Sequence, residues 1–323
     1  MAQMFEYNKS IIEFFFQDKN SDLDLKYLDK NNLLDYYNEK KNKTDDIEFK
    51  KGETIKMVKL FNQMENQTGV NYFAMKTFLS YVFYDHDIDF IITEKGYSTY
   101  IKELKSKGFS TKYDLSNIRE PLKMLYKSSE HFITPHMHRH VSWNGIIACD
   151  KKEVYKSAID FKLDEETSIK IPCPTDELLI AIGHFLFENY YFKIGELVYF
   201  NYLLNKDIDY ERIEKFAETY GYRKGVDLFF SYLKGISDSY DLNLNIKGKY
   251  VYNVSIDKEK PFPYFIPYKK LIPTYIENFK NGVKRGLVIN LFRKMFTFTL
   301  VGYLWKYKLP LRRQRKSSSQ YQG

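Results

Sequence analysis

The residues best placed to do chemistry are Asp87 and Asp89, which open the apolar run Asp87–Ile92. The rest of this run is strand-forming, and a strand alternates its faces, so the two carboxylates are predicted to lie on one side. Paired carboxylates repel each other unless a cation neutralises them, and hard divalent ions take oxygen ligands. The pattern therefore predicts a binding site for Mg²⁺. An acidic turn before a buried strand would have the same sequence pattern.

Histidines form a second cluster, because four of the six in the chain fall between positions 131 and 140. The stretch His131–Trp143 alternates and reads as one strand, with His136, His138 and His140 on the same face. Imidazoles opposite the two aspartates would make a mixed nitrogen and oxygen site, which suits Mn²⁺ or Zn²⁺ better than Mg²⁺. The alternative is a polar strand face that lines a cleft.

The elements that must position these residues are mostly helical. With 15 glycines and 9 prolines in 323 residues, 44% hydrophobic and 18% aromatic, the chain is typical of a globular, helix-rich protein. The pattern divides it into an N-terminal helical region (1–66), a mixed core (67–160), a helical domain (161–240) and a C-terminal segment (241–323). A strand over Val70–Met75 delivers Lys76 and Thr77 at its end.

Helix signals are strongest after Pro174. Thr175 is predicted to cap a helix that carries Asp176 and Glu177 in its first turn. Another helix is predicted over Ile194–Leu204. A third, over Tyr210–Tyr220, has Asp209 as its N-cap and ends at Gly221.

The order of these elements resembles the polymerase-β-type nucleotidyltransferase superfamily, and within it the minimal "uncharacterised nucleotidyltransferase" family. That family carries a lysine-glycine after its first strand, Asp-Ile-Asp on the second, a later histidine near a tryptophan, and then helices. The matching stretches here are Phe73–Thr77, Asp87–Ile92, His138–Trp143 and Asp176–Leu204. Two departures stand out: Lys76-Thr77 lacks the glycine, and His136-Met137-His138 occupies the place of the superfamily's third carboxylate.

The resemblance implies an α/β (α+β) nucleotidyltransferase-like core with a small mixed sheet, followed by an all-helical domain. It implies transfer of a nucleoside monophosphate from an NTP to a hydroxyl on RNA, protein or a small molecule. Asp87 and Asp89 would hold Mg²⁺, or Mn²⁺. Lys76 and Thr77 would contact the triphosphate. His138 or His136 would act as base or acceptor clamp.

Two other functions stay open on the same residues. One is a catalytically inactive nucleic-acid-binding or regulatory protein with this fold. The other is a histidine-rich metallohydrolase. Trp143 could stack on a base, but such a residue more often belongs to the core.

The C-terminal segment carries eleven Lys or Arg and no acid from Asn278 onward, within a chain of net charge +8. This basic arm (280–316) predicts binding to RNA or DNA, contact with an anionic membrane, or a solvated segment. The longest uncharged apolar stretch, Met295–Trp305, is too short to span a bilayer. Without a signal-like N-terminus, and with two cysteines, the sequence is expected to be cytoplasmic.

Overall fold

The computed structural model describes residues 10–16, 23, 25–41, 45–76, 86–93, 96–111, 123–143, 146–248, 251–258, 260 and 262–284. These residues form a mixed α/β protein with small sheets and many helices. Within them, no helix has both the length and the apolar character that crossing a bilayer would require.

Most of the described residues before Gly69 lie in helices. These helices are α1 (residues 10–16), α2 (Leu25–Lys30), α3 (Leu34–Lys40) and the long α4 (Asp45–Thr68). Acidic residues in the first turn of α4 favour its N-terminus, because they face the positive end of the helix dipole. Gly69 follows the last turn with a φ of +65°, a left-handed conformation that favours glycine.

A five-stranded mixed sheet forms the centre of the fold. Its strands are β1 (Tyr72–Met75), β2 (Asp87–Ile92), β3 (Ser110–Thr111), β4 (Lys123–Lys127) and β5 (Thr134–His138), and helix α5 is Tyr97–Ser106. The order of the strands in the sheet is β1-β2-β5-β4-β3. β2 pairs antiparallel with β1 and parallel with β5, and β4 pairs antiparallel with both of its neighbours. A parallel pair needs a crossover, and α5 lies on the chain between β2 and β5.

One face of this sheet packs against α4 and α5. Phe61 of α4 stacks on Phe90 of β2, with ring centroids 3.6 Å apart, a contact worth about 0.5–1.5 kcal/mol beyond its buried area. Ile88 and Met137 belong to the same core cluster. Because side chains alternate along a strand, the neighbours of these residues on β2 and β5 face the other way.

The opposite face of the sheet packs against the C-terminal helices. Phe73, Met75 and Ile91 share one large core cluster with those helices. Asp87 and Asp89 are on the same face of β2 as Ile91, so they point toward the helices. The helices are α6 (Lys151–Lys156), α7 (Pro174–His184), a π-helix (Phe185–Asn189), α8 (Ile194–Leu204), α9 (Tyr210–Tyr220), α10 (Arg223–Tyr240) and α11 (Tyr268–Lys284).

A buried ion pair ties these helices together. Asp176, in the first turn of α7, has no exposed surface and accepts two hydrogen bonds from Arg212 of α9, from Nε at 2.7 Å and Nη2 at 3.0 Å. Ser157, just after α6, donates to the same carboxylate. A carboxylate this deeply buried needs such partners, because removing a charge from water without compensation is costly.

Several predicted elements differ from the structure. The single strand over His131–Trp143 is wrong: the chain bends after His138, and β6 (Val141–Trp143) leaves the main sheet to pair with β7 (Ile146–Cys149). The sequence pattern over Asp114–Lys127 predicts helical or irregular structure, but Lys123–Lys127 forms β4. The segment 161–240 is not all helical. It includes most of a hairpin formed by β8 (Ile159–Lys162) and β9 (Ser168–Ile171). It also contains β10 (Tyr191–Phe192), which pairs with β11 (Tyr264–Phe265).

The N-cap of α7 also differs from the predicted one. The N-cap is Cys173 rather than Thr175, because Pro174 takes the first helical position, where its missing N–H costs nothing. Thr175 instead accepts a hydrogen bond from the backbone N–H of Asp209. The division into four regions stays a prediction.

Candidate active site

Strand register decides which side chains meet beside Asp89. In the parallel pair of β2 and β5, Asp89 lies opposite His136, and His138 lies opposite Ile91. Neighbouring residues of paired strands that share a face bring their side chains together. The alternation predicted for Asp87 and Asp89 is confirmed, since both are partly exposed and Ile88 and Phe90 are buried.

The two histidines contact the same carboxylate oxygen. His138 Nε2 lies 2.7 Å from Asp89 Oδ1, and His136 Nδ1 lies 3.0 Å from it. His136 Nδ1 is also 3.5 Å from Asp87 Oδ2. The His138 side chain is fully buried, whereas that of His136 is 16% exposed and that of Asp87 41% exposed. Solvent and a ligand therefore reach Asp87 and His136 more easily than His138.

Lys76 completes the site from the other side of Asp89. Met75, the last residue of β1, pairs with Asp89 across the antiparallel ladder, which places Lys76 directly beyond it. The Lys76 ammonium lies 2.9 Å from Asp89 Oδ2 and 5.5 Å from the centre of the Trp143 ring. Trp143 itself is fully buried, so the expectation that it belongs to the core is confirmed. Lys76 is thus held between a carboxylate and an aromatic ring.

These contacts control the ionisation of Asp89. Burial alone would raise its pKa, but the charge of Lys76, the charge of His138 and hydrogen bonds from both histidines act against burial. Together they hold the pKa of Asp89 well below its usual value. The carboxylate therefore stays ionised at neutral pH and can serve as a ligand for a cation.

Three of these residues have the arrangement of a metal site. One ligand atom each from Asp89, His136 and His138 lies within 4.8 Å of the others. A carboxylate with two imidazoles suits Mn²⁺ or Zn²⁺ better than Mg²⁺, which prefers oxygen ligands. Asp87 lies at the edge of this group and adds a fourth potential donor. The donor set fits a divalent transition metal.

Glu177 is a member of the site that sequence reasoning did not find. It lies in the first turn of α7, where it was predicted only as an N-terminal charge, yet it is 6% exposed and accepts a hydrogen bond from the backbone N–H of Lys76 at 3.1 Å. Burial raises its pKa to about 7, although hydrogen bonds from Tyr199 and from the Lys76 amide act in the opposite direction. No local pattern marks this role, because the partner lies on a distant strand.

Other candidates fall elsewhere. His140 lies in the bend after β5, and within the described ranges it is not part of the metal-type cluster. Asp150 is an acidic residue that follows His138 in the sequence, but it is the N-cap of α6. Its side chain accepts a hydrogen bond from the backbone N–H of Lys152. Thr77 lies outside the described residues, as does the basic arm beyond Lys284. Nucleic-acid binding by that arm stays a prediction.

Comparisons with known proteins return little. No protein-family model matches the chain, and a search of curated proteins finds no match. A search of solved structures finds the lincosamide antibiotic adenylyltransferase LnuA bound to lincomycin, at 14% sequence identity and a TM-score of 0.27. That similarity covers 37% of this chain and 80% of the LnuA chain. A TM-score this low assigns no fold, so function has to be argued from the site.

Proposed function

We propose that this chain is a divalent-metal-dependent nucleotidyltransferase, which moves a nucleoside monophosphate group from an NTP to an acceptor hydroxyl. The observation that carries the proposal is the setting of Asp89, held between the ammonium of Lys76 and the two imidazoles on β5. Phosphoryl chemistry needs positive charge near the phosphates, a carboxylate to hold a metal, and a base for the acceptor. This cluster contains all three kinds of group.

Of the residues that could hold a metal ion, Asp89 and His138 would bind it, with Asp87 as an additional oxygen donor. His136 would then stay uncoordinated and keep a lone pair for the acceptor proton. When bound, such an ion supplies positive charge that stabilises the charge developing on the phosphate. Because a ligating imidazole must present a lone pair, His138 would bind the metal through a deprotonated ring nitrogen.

Lys76 supports the proposal by its position and its charge. Its ammonium lies at the end of β1 beside Asp89, and the side chain is 18% exposed, so it is partly open to a ligand. An ammonium offers three donors and can meet phosphate oxygens as a point charge. It therefore compensates in part for the glycine turn that the sequence lacks.

His136 is the better candidate for the base. It is partly exposed, whereas His138 is fully buried and positions Asp89. In the proposed step the acceptor oxygen bonds to the α-phosphorus while the bond to the bridging oxygen of the β-phosphate breaks. Pyrophosphate leaves with that electron pair, and the acceptor proton passes to His136. A partly exposed imidazole that keeps a lone pair can take up this proton.

Metal-dependent nucleotide binding tests the proposal. We expect calorimetry to detect ATP binding in the presence of Mn²⁺, and Asp89→Asn to weaken it by at least about tenfold, as loss of metal-site residues does. Asp160→Asn is the matched control, because Asp160 is an exposed strand aspartate paired only with Lys170 in the described part of the chain. Equal ATP affinity in wild type and Asp89→Asn would refute the proposed role of Asp89.

A second candidate function is a metallohydrolase. It is favoured by the compact Asp89, His136 and His138 group, since two imidazoles and one carboxylate also make hydrolytic metal sites. The two functions differ in the fate of the nucleotide. A hydrolase gives free nucleoside monophosphate by adding water, whereas a transferase leaves the group on an acceptor. Stoichiometric zinc in the purified protein would favour the hydrolase.

A further inference from the structure

The backbone of Lys76 adopts a conformation that a lysine avoids. Its φ is +56°, in the left-handed region, where a side chain with a Cβ crowds the following carbonyl. Glycine normally takes such positions, because it has no Cβ. A non-glycine residue keeps this conformation only when its surroundings hold it there.

Glu177 supplies a hydrogen bond at that point. Its Oε1 accepts a hydrogen bond from the backbone N–H of Lys76, with 3.1 Å between nitrogen and oxygen, although the two residues are 101 positions apart in the sequence. The carboxylate is itself held, because it lies in the first turn of α7 and also receives a hydrogen bond from Tyr199 of α8. Helix α7 therefore holds the end of β1 through this acceptor, in addition to the apolar packing of Phe73 and Met75.

The direction of the Lys76 side chain depends on this grip. The φ of a residue at a strand end determines where its Cβ points, and here the side chain reaches both Asp89 and the ring of Trp143. If Lys76 relaxed to an extended φ, its Cβ would leave the strand in another direction. The ammonium would then no longer be fixed at 2.9 Å from Asp89.

We propose that Glu177 is the positioning residue for Lys76: by accepting the Lys76 amide hydrogen it holds the left-handed backbone and aims the ammonium at Asp89. This role rests on the proposed function only in the use made of the ammonium, which is to meet the phosphates of the nucleotide. Glu177 touches no reacting atom in this role. The position of its carboxyl oxygen, rather than its charge, is what holds the Lys76 backbone.

Two variants separate the effect of the position of this oxygen from the effect of the charge. Glu177→Gln keeps an acceptor oxygen at the same distance and removes the charge, so Lys76 should stay in place. Glu177→Asp keeps the charge and withdraws the carboxylate by one carbon, so the Lys76 amide loses its acceptor. A residue that mattered only through its charge would give the opposite order.

The test is the rate at which Lys76 reacts with an amine-selective N-hydroxysuccinimide ester, measured by peptide mass spectrometry on the full chain without nucleotide. We expect Glu177→Asp to raise the Lys76 rate about tenfold, in line with release of a strained backbone, and Glu177→Gln to leave it within about twofold of wild type. Lys50 is an internal reference, because it is 16% exposed, against 18% for Lys76, and is also paired with an aspartate, Asp35.

The outcomes are separable. An unchanged Lys76 rate in Glu177→Asp, or an equal rise at Lys50, would overturn the positioning role, since the second result would mean general loosening. Because the labelling uses no nucleotide, a failure of ATP binding would count against the proposed function and leave the labelling result intact. In a protein that binds ATP with Mn²⁺, the ligand should also protect Lys76 in wild type and Glu177→Gln more than in Glu177→Asp.

Discussion

Replacing Glu177 with glutamine is expected to stabilise the protein at alkaline pH and to change its stability much less at acidic pH. The reason is that Glu177 is 6% exposed, and burial raises its pKa from the ordinary value of 4.5 to about 7. Glutamine has nearly the same shape, can accept the Lys76 amide hydrogen, and carries no charge to bury. It therefore imitates the protonated form of the glutamate.

The sign and size follow from proton linkage. Between pH 4.5 and about 7 the folded protein holds a proton on Glu177 that the unfolded chain has lost. Stability is therefore greatest below the unfolded pKa and falls as pH rises through the folded pKa. At about 1.4 kcal/mol for each tenfold change in an equilibrium constant, the difference between 4.5 and about 7 corresponds to a full loss of about 3–4 kcal/mol. Part of it has already occurred at pH 5, which leaves about 2–3 kcal/mol between pH 5 and pH 9.

Urea unfolding followed by circular dichroism measures this quantity. The difference in unfolding free energy between Glu177→Gln and wild type should be about 2–3 kcal/mol more favourable to the variant at pH 9 than at pH 5. Using the difference between two proteins removes the titration of groups that they share. Glu165→Gln is the control, because Glu165 is an exposed glutamate in a turn and its replacement should stay within about 0.5 kcal/mol at both pH values.

Two results would refute the reasoning. If the difference between variant and wild type does not depend on pH, the carboxyl of Glu177 is not the group that burial perturbs. If the variant is less stable than wild type at pH 9, the ionised carboxylate contributes more through its contacts with Lys76 and Tyr199 than it loses by burial.

Two further predictions concern packing around the site. Arg212→Met should lower the unfolding free energy by about 3–5 kcal/mol, because it leaves Asp176 buried without its partner; a loss below about 1 kcal/mol in urea unfolding would contradict this. Gly183→Ala should destabilise the protein although alanine favours helices, because its Cβ would lie 2.8 Å from the ring of Trp143, and overpacking costs about 1–3 kcal/mol. Gly52→Ala is the control, because nothing lies within 4 Å of a Cβ at this position. It should stabilise the protein by up to about 1 kcal/mol in the same urea unfolding experiments.

Local signals predicted the helices well. Ile194–Leu204 was predicted with its observed limits, and Asp209 does cap the helix that ends at Gly221, which has a φ of +75°. Capping and termination depend on side chains next to the helix end, so one sequence is enough to see them. The alternation that puts Asp87 and Asp89 on one face is equally local.

Features that depend on distant partners were harder to predict. β4 was missed because its sequence has no clear alternation, and its pairing with β5 stabilises it. The His131–Trp143 alternation continues past the point where the chain bends, because period-two patterning does not report which sheet a strand joins. Glu177 looked like an ordinary first-turn acid, since its role comes from contact with β1.

The most direct measurement of the central claim is the fate of an α-phosphate label. The protein is incubated with [α-³²P]ATP, Mn²⁺ and cell extract, and the label is followed alongside an Asp89→Asn sample and an Asp160→Asn control. The proposed function predicts label on an acceptor together with free pyrophosphate, lost in Asp89→Asn and kept in Asp160→Asn. Label found only in free AMP, or transfer undiminished in Asp89→Asn, would contradict it.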